Sequence, residues 1–213
     1  PRPGFDGRFD VPKDVPLFFS PSRHTFLEKE QLYMKGDDKV VRAAARLAGE
    51  GYTFKLALAS WGEDVDRLRT EIARHPPLAG TILWTPPLGK AEFYTVLQQA
   101  DAVLDQFYLN ADGGIVIETL SANAAVLITC SVPRERLAHF FDEPPPYLAA
   151  DSEDDIYRAM KQVLEHPSDT RALAAQGRQW VQTYHSHACI VQKCCQAYQQ
   201  LTAQDQDHPK GTL

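Results

Sequence analysis

The sequence predicts an α/β fold, a Rossmann-like doubly wound parallel sheet with helices on both faces. Two observations support this prediction. Several short segments, such as residues 17–19 and 102–104, are uniformly apolar, as strands are when both faces of a sheet are covered. Amphipathic segments of helical periodicity, such as residues 64–74, separate them. Strands that alternate with helices in this way are typical of βαβ units, which build parallel sheets.

The first half of the chain contains three strand–helix pairs. The first strand, residues 17–19, ends where Ser20 and Pro21 interrupt the apolar run. The helix after it begins at Asp37 and repeats apolar residues on one face until Gly49, a residue type that often follows the last turn of a helix. The other pairs are a strand at 54–59 with a charged amphipathic helix at 64–74, and a strand at 80–84 with a helix at 91–99.

The second half repeats the alternation and then becomes helical. A strand at 102–105 precedes a glycine loop and a helix around Glu118, because Ile115, Val116, Ile117 and Leu120 supply its apolar residues. The remaining predictions are strands at 125–129 and 147–148 and helices at 154–164, 168–184 and 187–202. Residues 203–213 are polar, and we expect a disordered tail there.

Composition excludes several classes of function. The 213 residues are 44% hydrophobic, which is enough for one packed domain with a core. A net charge of -6 argues against a nucleic-acid partner, because binding to phosphate backbones requires a basic surface. No apolar run approaches the ~20 residues of a transmembrane helix. The adjacent cysteines 194 and 195 suit neither a disulfide framework nor a zinc site, and we expect reduced cysteines in a cytoplasmic protein.

Polar residues cluster in the loops where ligands of parallel sheets bind, beyond the carboxyl ends of the strands. Arg23 and Lys35 follow the first strand, and Gly113 and Gly114 precede the helix that carries Glu118. Two cations and the N–H groups of a helix N-terminus can hold a diphosphate, and a carboxylate one turn further can accept bonds from sugar hydroxyls.

Trp84, at the end of the third strand, is a candidate to flank a base or ribose. Each of these features also has a simpler interpretation. The glycine pair is also typical of a plain turn. The two cations can be solvated charges of a loop, and the tryptophan can be a core residue. The chain contains no GxGxxG and no P-loop sequence, which argues against an NAD site or an NTPase. It also has no histidine cluster for a metal and no recognisable nucleophilic triad.

From residue 3 to residue 201 the chain resembles the C-terminal, donor-binding domain of a GT-B retaining glycosyltransferase of the GT4 type. Residues 3–9 (Pro-Gly-Phe-Asp-Gly-Arg-Phe) are similar to the interdomain linker of these enzymes, so residues 1–16 are interpreted as a linker remnant. Residues 22–23 and 35–36 resemble the basic pair after the first strand, although their spacing is longer. Residues 100–107 and 177–186 resemble the strand before the nucleotide-sugar loop and the run before the last helix.

The family carries a Glu-x7-Glu pattern whose second glutamate holds the ribose and whose first contacts the donor sugar. Glu118 falls on the second position, whereas Asn110 stands on the first. The resemblance therefore implies Arg23 and Lys35 as catalytic groups that meet the charge on the diphosphate. It implies Asn110, Gly113, Gly114, Glu118, Thr119 and Trp84 as nucleotide-sugar-binding residues. It implies no obligatory metal or other cofactor.

The resemblance also implies one half of a GT-B fold, with residues 17–186 as the nucleotide-sugar-binding domain and 187–202 as a C-terminal helix. The expected activity is hexosyl transfer from a nucleoside-diphosphate sugar to an acceptor held by an N-terminal domain that this chain lacks. The chain alone should therefore be inactive. We expect a cytoplasmic enzyme, with peripheral membrane contact left open for the full-length protein. Two alternatives remain: a GT-B epimerase or phosphorylase, and a non-catalytic module that kept the fold.

Overall fold

The structure, a computed structural model, describes residues 11–25, 34–111, 113–122 and 125–207, with only the backbone given for 203–207. Its strands are β1 (Leu17–Ser20), β2 (Lys55–Ala59), β3 (Ile82–Thr85), β4 (Ala102–Leu104), β5 (Val126–Thr129) and β6 (Leu148–Ala149). All pairings are parallel, in the order β3-β2-β1-β4-β5-β6. Phe18 pairs with Leu56 on one side and Ala102 on the other, so the strand order reverses between β1 and β4.

The helices cover both faces of this sheet. They are α1 (Asp37–Gly49), α2 (Val65–Ala73), α3 (Lys90–Gln99), α4 (Gly114–Ala122), α5 (Arg134–Leu137), α6 (Glu153–Glu165), α7 (Pro167–His185) and α8 (His187–Asp207). Apolar residues of α1, α2 and α6 pack with Phe18 on one face, and those of α3, α4 and α7 pack with Leu17 and Phe19 on the other. This alternation follows from the two-residue period of strand side chains. The predicted doubly wound α/β fold is confirmed.

Most predicted elements lie within a few residues of the observed ones. Sequence reasoning missed α5 and a single 3-10 turn at Pro76–Leu78, because both are shorter than the windows in which periodicity can be recognised. Helix α8 continues past residue 202 to Asp207, into the segment predicted as tail. Residues 1–10 of the predicted linker and 208–213 of the predicted tail lie outside the described residues.

Helix α4 is held in place by close packing against α7. A Cβ atom added to Gly177 of α7 would lie 2.9 Å from Cδ2 and 3.1 Å from Cα of Leu120 in α4. Leu120 is buried, and Trp180, one turn further along α7, is buried in the same cluster. Since the backbone of α4 lies directly against Gly177, any larger residue there must displace the helix.

We expect Gly177→Ala to destabilise the protein by about 1–3 kcal/mol, the usual cost of overpacking a core. The matched control is Gly49→Ala at the end of α1, where an added Cβ meets only Pro77 Cγ at 3.9 Å, an ordinary contact. The control should be neutral or slightly stabilising because alanine has the higher helix propensity. Urea denaturation of both variants measures the difference, and equal stabilities would contradict the packing account.

Candidate functional site

The loops after β1 and β4 meet at the point where the strand order reverses. Ser22 Oγ donates to the backbone carbonyl of Asp105 at 3.2 Å. Lys35 Nζ donates to Gln106 Oε1 at 3.0 Å, and Gln106 Nε2 donates to the carbonyl of Ala111 at 2.6 Å. Lys35 is thus connected to the loop that leads into α4. In open α/β sheets, ligands bind in the crevice at such a reversal.

A buried contact between His24 and Asp37 holds the β1 loop. Nδ1 of His24 lies 3.0 Å from Oδ2 of Asp37, a close contact without hydrogen-bond alignment, and the two side chains are 0% and 1% exposed. Ser20 Oγ donates to the other carboxylate oxygen of Asp37 at 3.0 Å. Arg23 is half-buried and immediately precedes His24 in this loop. Because the His24 side chain is buried, the backbone beside it follows a defined path. This path sets the position from which the Arg23 side chain extends.

The loop after β2 fastens His24 from the opposite side. The backbone N–H of His24 donates to the carbonyl of Trp61 at 3.0 Å, and the N–H of Asp64 donates to the carbonyl of His24 at 3.0 Å. Between them, Gly62 has φ +118° and lies so close that an added Cβ would be 2.4 Å from the His24 nitrogen. Only glycine fits this position, both sterically and by its backbone conformation.

A cleft of about 390 Å³ lies beside these loops, and we call it the switch-point cleft. Its walls come from the ends of β1, β2 and β3 and from the first turns of α3 and α4. The residues that line it are Phe19, Pro21, Ala59, Trp61, Thr85, Pro86, Pro87, Leu88, Lys90, Phe93, Ile115 and Glu118. Most of these side chains are apolar, and the charged groups are confined to the α3 and α4 side.

Glu118 is the acidic residue of the cleft, and its side chain is 21% exposed. Lys90 Nζ contacts Glu118 Oε1, and this hydrogen bond raises the pKa of Lys90 against the opposing effect of burial. Lys90 is therefore charged at neutral pH and faces a carboxylate across the cleft. An ionised carboxylate is a strong acceptor for hydroxyl groups, so this arrangement suits a polyol such as a sugar.

The glycine pair behaves differently from the sequence-based expectation. Gly114 does not have a positive φ, so its backbone conformation does not require glycine. Within the part of the chain that the structure describes, an added Cβ at either glycine would meet nothing within 4 Å. The two glycines line a second pocket with Ile117, on the other side of α4 from Glu118, so the expectation that they share one cleft with Glu118 needs correction.

Two of the predicted binding residues face the interior. Thr119 is fully buried, so it does not reach the surface of either pocket. Trp84 packs against the core, with its ring 5.9 Å from the His24 ring and 5.0 Å from the Arg69 guanidinium. The tryptophan that lines the cleft is Trp61, which is 46% exposed. Sequence reasoning missed Trp61, although its position directly after a strand was the available signal.

Asn110 lies at the surface, on the side of α4 that faces the second pocket. Its side-chain amide donates to the carbonyl of Ser131 at 2.6 Å, and its own carbonyl accepts from Nη1 of Arg136 at 3.1 Å. The position therefore carries a neutral amide beside a guanidinium. The structure separates Asn110 and Glu118 onto different sides of the α4 N-terminus.

Metals, membranes and cysteines can be treated briefly. Within the described ranges, no three His, Cys, Asp or Glu side chains are grouped as metal ligands. None of the described helices combines the length and apolarity that a bilayer span requires. The four cysteines are free, and burial raises the pKa of the Cys130 thiol. A protonated, buried thiol is a poor nucleophile.

Comparison with known families decides the class of protein. A sequence profile of the family described as "Glycosyl transferase-like" matches residues 38–196, most of the chain. The chain belongs to this glycosyl transferase-like family. The matched residues carry five of the six strands and the Lys90–Glu118 side of the cleft. No curated protein sequence matches this glycosyl transferase-like chain.

Solved structures place the fold among the GT-B glycosyltransferases. Sucrose-phosphate synthase from Thermosynechococcus elongatus superposes with a TM-score of 0.69 at 18% identity, over 94% of this chain and 48% of its own. Anabaena Alr3699/HepE, solved in complex with UDP-glucose, superposes with a TM-score of 0.67 at 12% identity, over 88% of this chain and 49% of its own. A glycosyltransferase from Rickettsia africae superposes with a TM-score of 0.68 at 15% identity, over 92% of this chain and 50% of its own. This glycosyl transferase-like chain spans about half the length of each.

We expect Asp37→Ala to destabilise the protein by about 3 kcal/mol, because it leaves His24 and Ser20 buried without the shared carboxylate. The control is Asp66→Ala, which removes an ion pair with Arg69 from a side chain that is 92% exposed. Surface pairs of this kind contribute about 0–1 kcal/mol. Urea denaturation gives both values, and a cost for Asp37→Ala as small as that of Asp66→Ala would mean that the buried contact does not hold the loop.

Proposed function

We propose that this chain is the donor-binding half of a retaining glycosyltransferase of the GT4 type, and that the switch-point cleft binds a nucleoside-diphosphate sugar. The observation that carries the proposal is the position of Glu118. Its carboxylate faces a largely apolar cleft at the reversal of strand order, one turn inside a helix whose N-terminus is open. A nucleotide sugar presents the matching groups in one molecule: an apolar base, a ribose with two hydroxyls, and a diphosphate.

In the proposed complex the base and the ribose lie in the cleft, and the diphosphate extends beyond it to the N-terminus of α4. The base lies along residues 86–88 with Trp61 at its side, because flat apolar surfaces suit an aromatic ring. The ribose hydroxyls donate to Glu118, and Lys90 rotates aside to make room for them. The diphosphate lies at the N-terminus of α4, where backbone N–H groups and the helix dipole favour an anion.

Arg23 and Lys35 are proposed to stabilise the charge that develops on the diphosphate as the sugar leaves. The argument is that of electrostatic catalysis: cations held in place before the reaction need not reorganise during it. Lys35 is oriented by Gln106, and Arg23 lies next to the anchored His24. With two cations and a helix N-terminus available, the proposal includes no obligatory metal.

The identity of the base is proposed from one structural relative. The Anabaena protein was solved with UDP-glucose, and we extend uridine, though not the sugar, to this chain as a hypothesis. Asn110 is neutral, whereas the GT4-type enzymes that the chain resembles have glutamate at this position. We therefore expect the donor sugar to differ from that of enzymes that carry the glutamate.

The acceptor is proposed to bind mainly to a second domain. This chain spans about half of its structural relatives, and α8 exposes the apolar side chains of Ile190, Val191, Tyr198 and Leu201, which are 43–69% exposed. Such a row of exposed apolar residues is typical of a surface that another domain covers. We therefore expect the chain alone to bind the nucleotide and to transfer no sugar.

Calorimetric titration of the chain with UDP, GDP and ADP tests the proposal. We expect UDP to bind best, and Glu118→Gln to weaken its binding at least about tenfold, because hydrogen bonds to a charged group contribute about 1.5–3 kcal/mol. The control is Glu153→Gln. Glu153 lies on α6, outside the cleft, and its carboxylate pairs with Arg42 of α1. Absence of binding to all three nucleotides by the folded chain, or equal effects of the two variants, would contradict the proposal. Interconversion of free nucleotide sugars by the chain would instead identify an epimerase.

A second prediction separates ligand contact from folding at the helix N-terminus. Gly114→Ala introduces a Cβ that meets nothing within 4 Å, so we expect thermal stability to be unchanged or slightly higher. The same methyl group would occupy space against the diphosphate, and we expect UDP to bind several-fold more weakly. Thermal unfolding and titration are measured on the same sample. If a stable Gly114→Ala variant binds UDP with full affinity, the diphosphate does not lie at this position.

A further inference from the structure

A second pocket of about 400 Å³ lies on the side of α4 opposite Glu118. We call it the aromatic pocket. Its walls are apolar: Ile117 from α4, Val132 and Leu137 from the β5–α5 segment, Phe140 and Phe141 after α5, and Trp180 from α7. Phe141 packs edge-on against Trp180 with ring centroids 4.8 Å apart, whereas Phe140 is 67% exposed at the rim. Apolar walls of this extent favour an apolar ligand group.

One edge of the aromatic pocket carries positive charge without a matching carboxylate. Arg136 lines the pocket and donates Nη1 to the neutral backbone carbonyl of Asn110 at 3.1 Å. Among the described residues no carboxylate lies within ion-pair distance of Arg136, whereas Arg42, Arg46 and Arg158 each pair with an acidic side chain. The N-terminus of α4, with the bare backbone of Gly113 and Gly114, forms the same edge. Both features attract an anion.

His185 adds a polar group to the opposite wall of the pocket. Its Nε2 is buried and has no hydrogen-bond partner in the described part of the chain. Burial lowers the pKa of His185, and the nearby Lys193 lowers it further, so the ring is neutral at neutral pH. A neutral imidazole nitrogen in an apolar wall can donate one hydrogen bond to a ligand or accept one from it.

We propose that the aromatic pocket binds a second ligand, an apolar group that carries an anionic head, with the head at Arg136. Such a ligand lies across the first turn of α4 from a nucleotide in the switch-point cleft and leaves the α4 N-terminus to the diphosphate, so the two pockets can be filled at once. The apolar walls argue against a free sugar or inorganic phosphate as the preferred ligand. Neither has apolar surface that could be buried against these side chains.

The assignment of this ligand as the acceptor rests on the proposed function, whereas its binding does not. In a transfer reaction the donor and the acceptor must be held side by side, and the two pockets lie on either side of α4. The C-terminal half would then contribute to acceptor selection instead of leaving it wholly to the other domain.

The test uses 1-naphthyl phosphate as the probe, with 1-naphthol and inorganic phosphate for comparison, titrated against the 213-residue chain with and without saturating UDP. We expect 1-naphthyl phosphate to bind more tightly than 1-naphthol, with no loss of affinity in the presence of UDP. Methyl NMR signals of Ile117 and Val132 should shift. Arg136→Gln should weaken 1-naphthyl phosphate about tenfold and leave 1-naphthol unchanged. Arg134→Gln, on the same short helix but outside the pocket lining, is the control.

Three outcomes would overturn the proposal: displacement of 1-naphthyl phosphate by UDP, no shift of the Ile117 and Val132 methyl signals on adding the probe, or equal effects of Arg136→Gln and Arg134→Gln. Phe140→Ser provides a second variant that keeps the fold, since Phe140 is 67% exposed, and it should weaken both aromatic probes. If UDP does not bind at all, the proposed function fails, but the methyl shifts and the Arg136→Gln comparison still decide whether the aromatic pocket binds its ligand.

Discussion

The arrangement of the site depends on the buried contact between His24 and Asp37. It joins the loop after β1 to the first residue of α1, and the backbone of His24 is hydrogen-bonded in turn to the loop after β2. Three separate segments of the chain are thereby fixed around one residue, His24. Two buried ionisable groups are costly unless they face each other, so the contact specifies one loop path and disfavours others. The contact also sets the backbone position from which the Arg23 side chain extends.

The second organising feature is α4, which separates two pockets of different character. On one side lies a cleft with the Lys90–Glu118 pair, and on the other a pocket with aromatic walls and Arg136 at its edge. Gly113 and Gly114 line the second of these pockets. Because α7 packs directly against α4 at Gly177, the position of the α4 N-terminus is set by the core.

The sequence predicted the sheet and the helices well because their signals are local. Apolar runs such as 17–19 and amphipathic periodicity such as 64–74 are properties of a few consecutive residues. The positions of side chains at the site were predicted less well. Whether Trp84 or Trp61 faces the cleft depends on the direction of side chains at a strand end, and the burial of Thr119 depends on the packing of α4. The His24–Asp37 contact was missed because it requires two loops to meet in three dimensions. Nothing in either local sequence marks it.

The most direct test of the account is a crystal structure of this chain grown with UDP. We expect the nucleotide in the switch-point cleft, with uracil beside Trp61, the ribose hydroxyls on Glu118 and the diphosphate at the N-terminus of α4. The His24–Asp37 contact should be unchanged, since the account treats the loop as fixed before the ligand arrives. UDP bound elsewhere, or a β1 loop that rearranges around the nucleotide and breaks the His24–Asp37 contact, would contradict the central claim.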